Sequence, residues 1–189
     1  MAPYEDIAWL EPIADLGDQP QLRTICVAAI AAGIAARDAP WGPRLARAGL
    51  RMLIAHQLAT VAKNFVKHRV DRTRPRSRRR AGKDHRPQPG EAREKEETSF
   101  PSGHAAGAAA VAAAFAREFP AHRTAAAAAG GTLALVQVPR CAHYPTDIAA
   151  GAAIGLAAEA ALAMLWRPTG APTGESFEQE MELPPCGYC

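Results

Sequence analysis

Residues 148–166 read IAAGAAIGLAAEAALAMLW. These nineteen consecutive positions carry one charge, Glu159. A helix of that length crosses most of a hydrocarbon core of ~30 Å. Trp166 and Arg167 close the stretch as interfacial anchors would. It is the best membrane candidate in the chain, and its alanine richness is general: 44 of the 189 residues are Ala. Ala is the best helix former and a poor strand former. With 48% apolar residues and only 6% aromatic, the composition predicts an all-α protein. It excludes a disulfide-built mini-domain, a collagen-like chain and a wholly disordered one.

Four further helical segments precede this one, near 22–37, 44–67, 103–118 and 122–137. With 147–166 they make an Ala-rich bundle of about five main helices. The earlier segments are shorter or more polar. Residues 25–36 give 12 apolar positions, and 44–67 contains Arg47, Arg51, His56, Gln57, Lys63 and Asn64. Because Ala is nearly neutral for insertion, hydropathy alone leaves a membrane bundle and a soluble Ala-rich bundle both open. No cleavable signal peptide is visible at the acidic start Met1-Ala2-Pro3-Tyr4-Glu5-Asp6.

The net charge of +3 hides an uneven distribution. From Lys67 to Gly103 the chain holds 12 of its 22 basic residues and 6 of its 19 acids. Such a stretch is either a solvated loop or a surface facing phosphates, anionic lipid or nucleic acid. It lacks aromatics that could stack on bases, so nucleic acid is not an expected partner. Residues 75–98 read as a long loop, and long loops inside a compact domain are often functional. The expected organisation is one helical domain over 1–167 and a poorly ordered tail over 168–189, rich in Pro, Gly and Glu. Cys26 sits in an apolar run. Cys186 and Cys189 form a lone CxxC at the end of the chain, and one such pair supplies only two metal ligands. No metal and no cofactor are expected.

Three islands interrupt the alanines: Lys67 to Pro75, Ser99 to His104, and Arg140 to Asp147. In the second, Ser102 is a good N-cap for the following helix. Backbone N–H groups at Ser102, Gly103 and His104 would point off that helix start, a ready anion site. In the third, His143 and Asp147 are four apart and share a face on a helical turn. A carboxylate on one ring nitrogen leaves the other as a nucleophile. Pro145 suits the first turn of the last helix. Alone, each island has an ordinary reading as an N-cap, a local His–Asp pair or a basic helix end. Together they run Lys-x6-Arg-Pro, Pro-Ser-Gly-His and Arg…His-x3-Asp, in that order.

This order resembles the type 2 phosphatidic acid phosphatase superfamily, which includes lipid phosphate phosphatases, bacterial acid phosphatases and vanadium haloperoxidases. The resemblance covers about residues 20–167. It implies that His143 is the nucleophile, passing through a phosphohistidine, and that Asp147 orients and polarises it. It implies that His104 protonates the leaving oxygen and later activates water. Lys67, Arg74, Ser102 and the backbone at Gly103 would bind the phosphate. No metal is implied, because cations meet the charge of the transition state. One departure stands out. The family's third motif is usually Ser-Arg-x5-His-x3-Asp, and the Arg position here is Gln137. Either Arg140 substitutes from a different turn, or Gln137 supplies a neutral hydrogen bond. Losing a charge-assisted contact costs about 2–4 kcal/mol of transition-state binding.

The resemblance makes the expected protein a multi-pass enzyme of a bacterial-type inner membrane, within the family's short-chained membrane branch. Five spans would put all three islands on one side. Arg37, Arg44, Arg47, Arg117, Arg123 and Arg167 would lie on the other, as a positive-inside cytoplasm requires. The active site would then face the periplasm or cell exterior. The implied substrates are phosphorylated lipids: phosphatidic acid, phosphatidylglycerol phosphate or an isoprenoid diphosphate. The alternative is a catalytically impaired membrane protein of the same fold that holds anionic lipid. A third reading is a soluble cytoplasmic phosphatase of that fold.

Overall fold

The computed structural model describes residues 9–77, 86–92, 94 and 96–166. The tail expected over 168–189, with Cys186 and Cys189, lies outside those residues, as does Arg78-Arg79-Arg80. The described chain is helical, with helices α1 (Glu11–Leu16), α2 (Gln19–Ala35), α3 (Gly42–Lys67), α4 (Gly103–Glu118), α5 (Arg123–Leu135) and α6 (Pro145–Leu165). A 3-10 turn, Pro120–His122, precedes α5. All five expected helices are present. The six-residue α1 is additional, too short for its periodicity to register in the sequence.

Local chemistry sets the starts. Proline occupies the first turn of α1, α2, α3 and α6, where its missing N–H costs nothing. Ser102 caps α4, its Oγ accepting from Ala105 N at 3.4 Å.

Small residues then let the helices approach closely. A Cβ on Gly33 would sit 2.2 Å from Ala46 N, where α2 crosses α3. On α6, Gly151 and Gly155 lie one turn apart against α4. A Cβ on either would meet a backbone carbonyl, Ser102 O or Ala106 O, at 2.3 Å. This is the small-xxx-small packing of membrane helices, which association by backbone approach favours. The core between α2, α3, α4 and α6 is accordingly built mostly of alanine, with Cys26, Met52 and Leu162 filling the gaps.

A buried ion-pair network crosses this core. Arg51 of α3 donates through Nε (3.0 Å) and Nη2 (2.7 Å) to Glu159 Oε1, and Arg117 Nε of α4 donates to Glu159 Oε2 at 3.0 Å. The one charge in the apolar 148–166 stretch is therefore satisfied internally, by two guanidinium groups.

The expected loop 75–98 is partly ordered by pairing. Its β2 (Gln88–Pro89) runs antiparallel to β1 (Val70–Asp71), and Thr98 bridges to Arg72. Glu96 accepts from Arg76 Nη2 at 2.9 Å and from Ser77 Oγ. Arg76 is thus folded back on a carboxylate of the same stretch. These contacts converge, with the C-terminus of α3 and the N-termini of α2, α4 and α6, on one end of the bundle.

Candidate active site

His143 lies in the turn between α5 and α6 and is 3% exposed. That turn needs one left-handed residue, Cys141 at φ 48°, to bring the chain round. The His143 Nδ1 lies 2.8 Å from the Ser99 carbonyl oxygen and 3.8 Å from Asp147 Oδ2. A carbonyl can only accept, so Nδ1 carries the proton and donates it to Ser99. Nε2 then keeps its lone pair. The Ser99 carbonyl takes the hydrogen bond, and the Asp147 carboxylate stays within ion-pairing distance of the same nitrogen. Burial of the ring lowers the His143 pKa below the ordinary histidine value, and the nearby Arg74 charge works in the same direction.

Asp147 is fully buried and acts through the scaffold. Its Oδ1 accepts from Arg72 Nη1 at 2.5 Å. Its Oδ2 accepts from Ser99 Oγ at 2.5 Å and from the Tyr144 N–H at 3.0 Å. The carboxylate therefore caps α6 and fixes Ser99, whose carbonyl fixes His143. Arg72 also donates to Thr146 Oγ1 at 2.7 Å, with its guanidinium 4.1 Å from the Tyr144 ring centroid. Sequence reasoning assigned Arg72 and Ser99 no role, since each acts on a residue far along the chain.

His104 stands opposite, its ring centroid 6.4 Å from that of His143. Its Nε2 is 2.9 Å from Asp18 Oδ1, at the junction of α1 and α2. Asp18 is another residue the sequence left unmarked, because it lies outside all three islands. Arg74 is buried and donates to the Ala142 carbonyl at 3.3 Å, immediately before His143. Lys67 ends α3 half-buried. Ser102 is fully buried and its N–H donates to the Asp147 carbonyl at 3.0 Å. Only the Gly103 and His104 amides of the expected anion site thus remain at that helix start.

Gln137 is buried, and its backbone carbonyl accepts from His143 N at 3.4 Å. Arg140 Nη1 donates to Gln137 Oε1 at 3.2 Å, while Arg140 Nη2 pairs with Glu11 Oε2 at 2.6 Å. The Gln137 Nε2 has no partner among the described residues. Arg140 thus orients a neutral donor and is itself engaged by a carboxylate. The structure brings His143, Asp147, Arg74, Ser102, Gly103, His104 and Gln137 to one end of the bundle.

A profile of the PAP2 superfamily matches residues 48–170. The chain belongs to the PAP2 superfamily. Its fold is similar to the crystal structure of a transmembrane PAP2-type phosphatidylglycerolphosphate phosphatase from Bacillus subtilis. That likeness has a TM-score of 0.58 at 20% identity and covers 90% of this chain and 82% of that one. No curated protein is significantly similar in sequence. The structure gives Gln137, the neutral residue at that position of the third island, a defined orientation.

Proposed function

We propose that this protein is a membrane-embedded lipid phosphate phosphatase working through a phosphohistidine at His143. The observation that carries the reading is the fixed tautomer of His143. A ring held at Nδ1 by a carbonyl presents Nε2 as a nucleophile, with a second histidine ring 6.4 Å away and the buried Arg74 beside it.

The chemistry follows from those placements. Arg74 and Lys67, the Gly103 and His104 amides, and Gln137 Nε2 receive the phosphate oxygens, and Ser102 fixes the helix start from which those amides point. Nε2 of His143 forms a bond to phosphorus as the bond to the lipid oxygen breaks. The proton for that oxygen comes from His104, whose ring Asp18 orients. His104, now neutral, takes a proton from water, which attacks phosphorus and releases phosphate from Nε2. His143 and protonated His104 are regenerated, and no metal enters the scheme.

Two features support a lipid substrate. Helix α6 is long and apolar enough to cross a membrane. An apolar cavity of about 600 Å³ between α4, α5 and α6 runs from Ala105, next to His104, towards Ala116. It is lined by Ala109, Ala113, Ala127 and Leu156 and fits a hydrocarbon tail. The lipid-binding alternative rests on the neutral Gln137, and turnover separates the two readings.

The test is phosphate release by detergent-solubilised protein in excess chelator, from phosphatidic acid and from an isoprenoid diphosphate. Release that survives chelator and vanishes in His143→Ala is expected. Release that persists in His143→Ala overturns the mechanism, and no release from either lipid by folded protein favours the binder.

A further inference from the structure

We propose that Lys63 is a phosphate-binding residue of this site, supplying the cation that Gln137 lacks; the inference rests on the phosphatase reading above. Lys63 lies one turn before Lys67 on α3, so the two share a face. Its side chain is 6% exposed and runs over Gly103, with Nζ 3.5 Å from the point a Cβ there would occupy. Gly103 opens α4 between the N-cap Ser102 and His104. The lysine therefore reaches the helix start that offers its free amides to an anion.

No carboxylate pairs with Lys63 among the described residues, although the residue as a whole is 6% exposed. A largely buried lysine with no counter-charge beside it is an unfavourable arrangement for a fold to keep. The groups around it do not relieve this. The Gln19 side-chain nitrogen approaches the same Gly103 position at 3.7 Å, and an amide brings no negative charge. Asp18, next to Gln19, is engaged with His104. His56, two turns earlier on α3, packs against Gly107 and carries none either. The missing counter-charge is supplied from outside the chain. A phosphate at the α4 N-terminus meets the requirement, and it is the group the two histidines are placed to transfer.

Gln137 gives the complementary half. Gln137 is a buried neutral side chain beside His143, and α3 carries a buried lysine beside the start of α4.

The experiment measures thermal unfolding in detergent with and without inorganic phosphate, and lipid phosphate turnover, for wild type, Lys63→Met, Lys63→Gln, Lys63→Arg, Gln137→Arg and the Lys63→Met/Gln137→Arg pair. Methionine keeps the volume and removes the charge. Lys63→Met is expected to unfold no lower than wild type without phosphate and to lose the phosphate-induced rise. Its kcat/KM is expected to fall about a hundredfold, the loss typical of a removed transition-state donor. Lys63→Gln follows it, Lys63→Arg retains most activity, and Gln137→Arg restores the Lys63→Met protein. A purely structural lysine gives the opposite pattern: Lys63→Met or Lys63→Gln folds with its phosphate-induced rise intact, which overturns the proposal. If wild type binds phosphate without turnover, the catalytic reading fails and the phosphate shift in the variants still decides the role of Lys63. If wild type shows neither, both fall.

Discussion

His143 owes its chemistry to a backbone carbonyl. Ser99 O fixes the proton on Nδ1, and Asp147 fixes Ser99 through its Oγ, so the carboxylate holds the ring in place through Ser99 as well as standing beside it. Arg72 stands behind Asp147 as its counter-charge in a buried setting. Replacing Arg72 by Met leaves that carboxylate uncompensated and is expected to cost about 3–5 kcal/mol of stability, measurable as a lowered unfolding temperature in detergent. The pH dependence follows from burial. His143 titrates below the ordinary histidine value, so its neutral form is the one present from that lowered value upward. Nucleophilic competence is lost only as pH falls through it, and the acid limb of kcat/KM is expected below about pH 6.5. A limb at or above that value contradicts the assignment. His143 and His104 were legible as candidates because each sits inside a short motif. Ser99, Arg72 and Asp18 were not, because their partners are 48, 75 and 86 residues away. Only the folded chain brings those pairs together.

Helix α6 shows how one element carries both packing and charge. Gly151 and Gly155 bring it against the backbone of α4, and Glu159, one turn further, meets Arg51 and Arg117. Glu159→Gln keeps the shape and removes the charge that the buried Arg51 requires and the exposed Arg117 shares. A loss of about 3–5 kcal/mol is expected, as for breaking a buried pair by one partner. Unfolding followed by helical circular dichroism measures it, and the pair Arg51→Met/Glu159→Leu should recover part of the loss. At this scale the sequence was most readable, since runs of alanine between Pro, Ser and Gly boundaries define helices directly. The loop 75–98 was less so, because β1 and β2 are two residues each and alternate too briefly to register. The helix α1 escaped for the same reason, although it carries Glu11, which holds Arg140.

The whole molecule places its polar chemistry at one end and leaves apolar side chains on its outside. Val61, Phe65, Leu135, Met164 and Leu165 are all more than 60% exposed, an arrangement that water disfavours and lipid tolerates. The protein is therefore expected to sediment with membranes and to resist extraction by alkaline carbonate; recovery in the soluble fraction contradicts the embedding. Hydropathy left this point open because alanine is close to neutral in either solvent. The fold resolves part of it by showing which side chains the bundle leaves uncovered. The central claim concerns His143 and is tested most directly by trapping. Protein mixed with a lipid substrate labelled in its phosphate is quenched in alkali within the first turnovers. The account predicts a label that survives alkali, is lost in acid and maps to His143. A labelled acid-stable residue, or an acid-labile label that remains in His143→Ala, contradicts it.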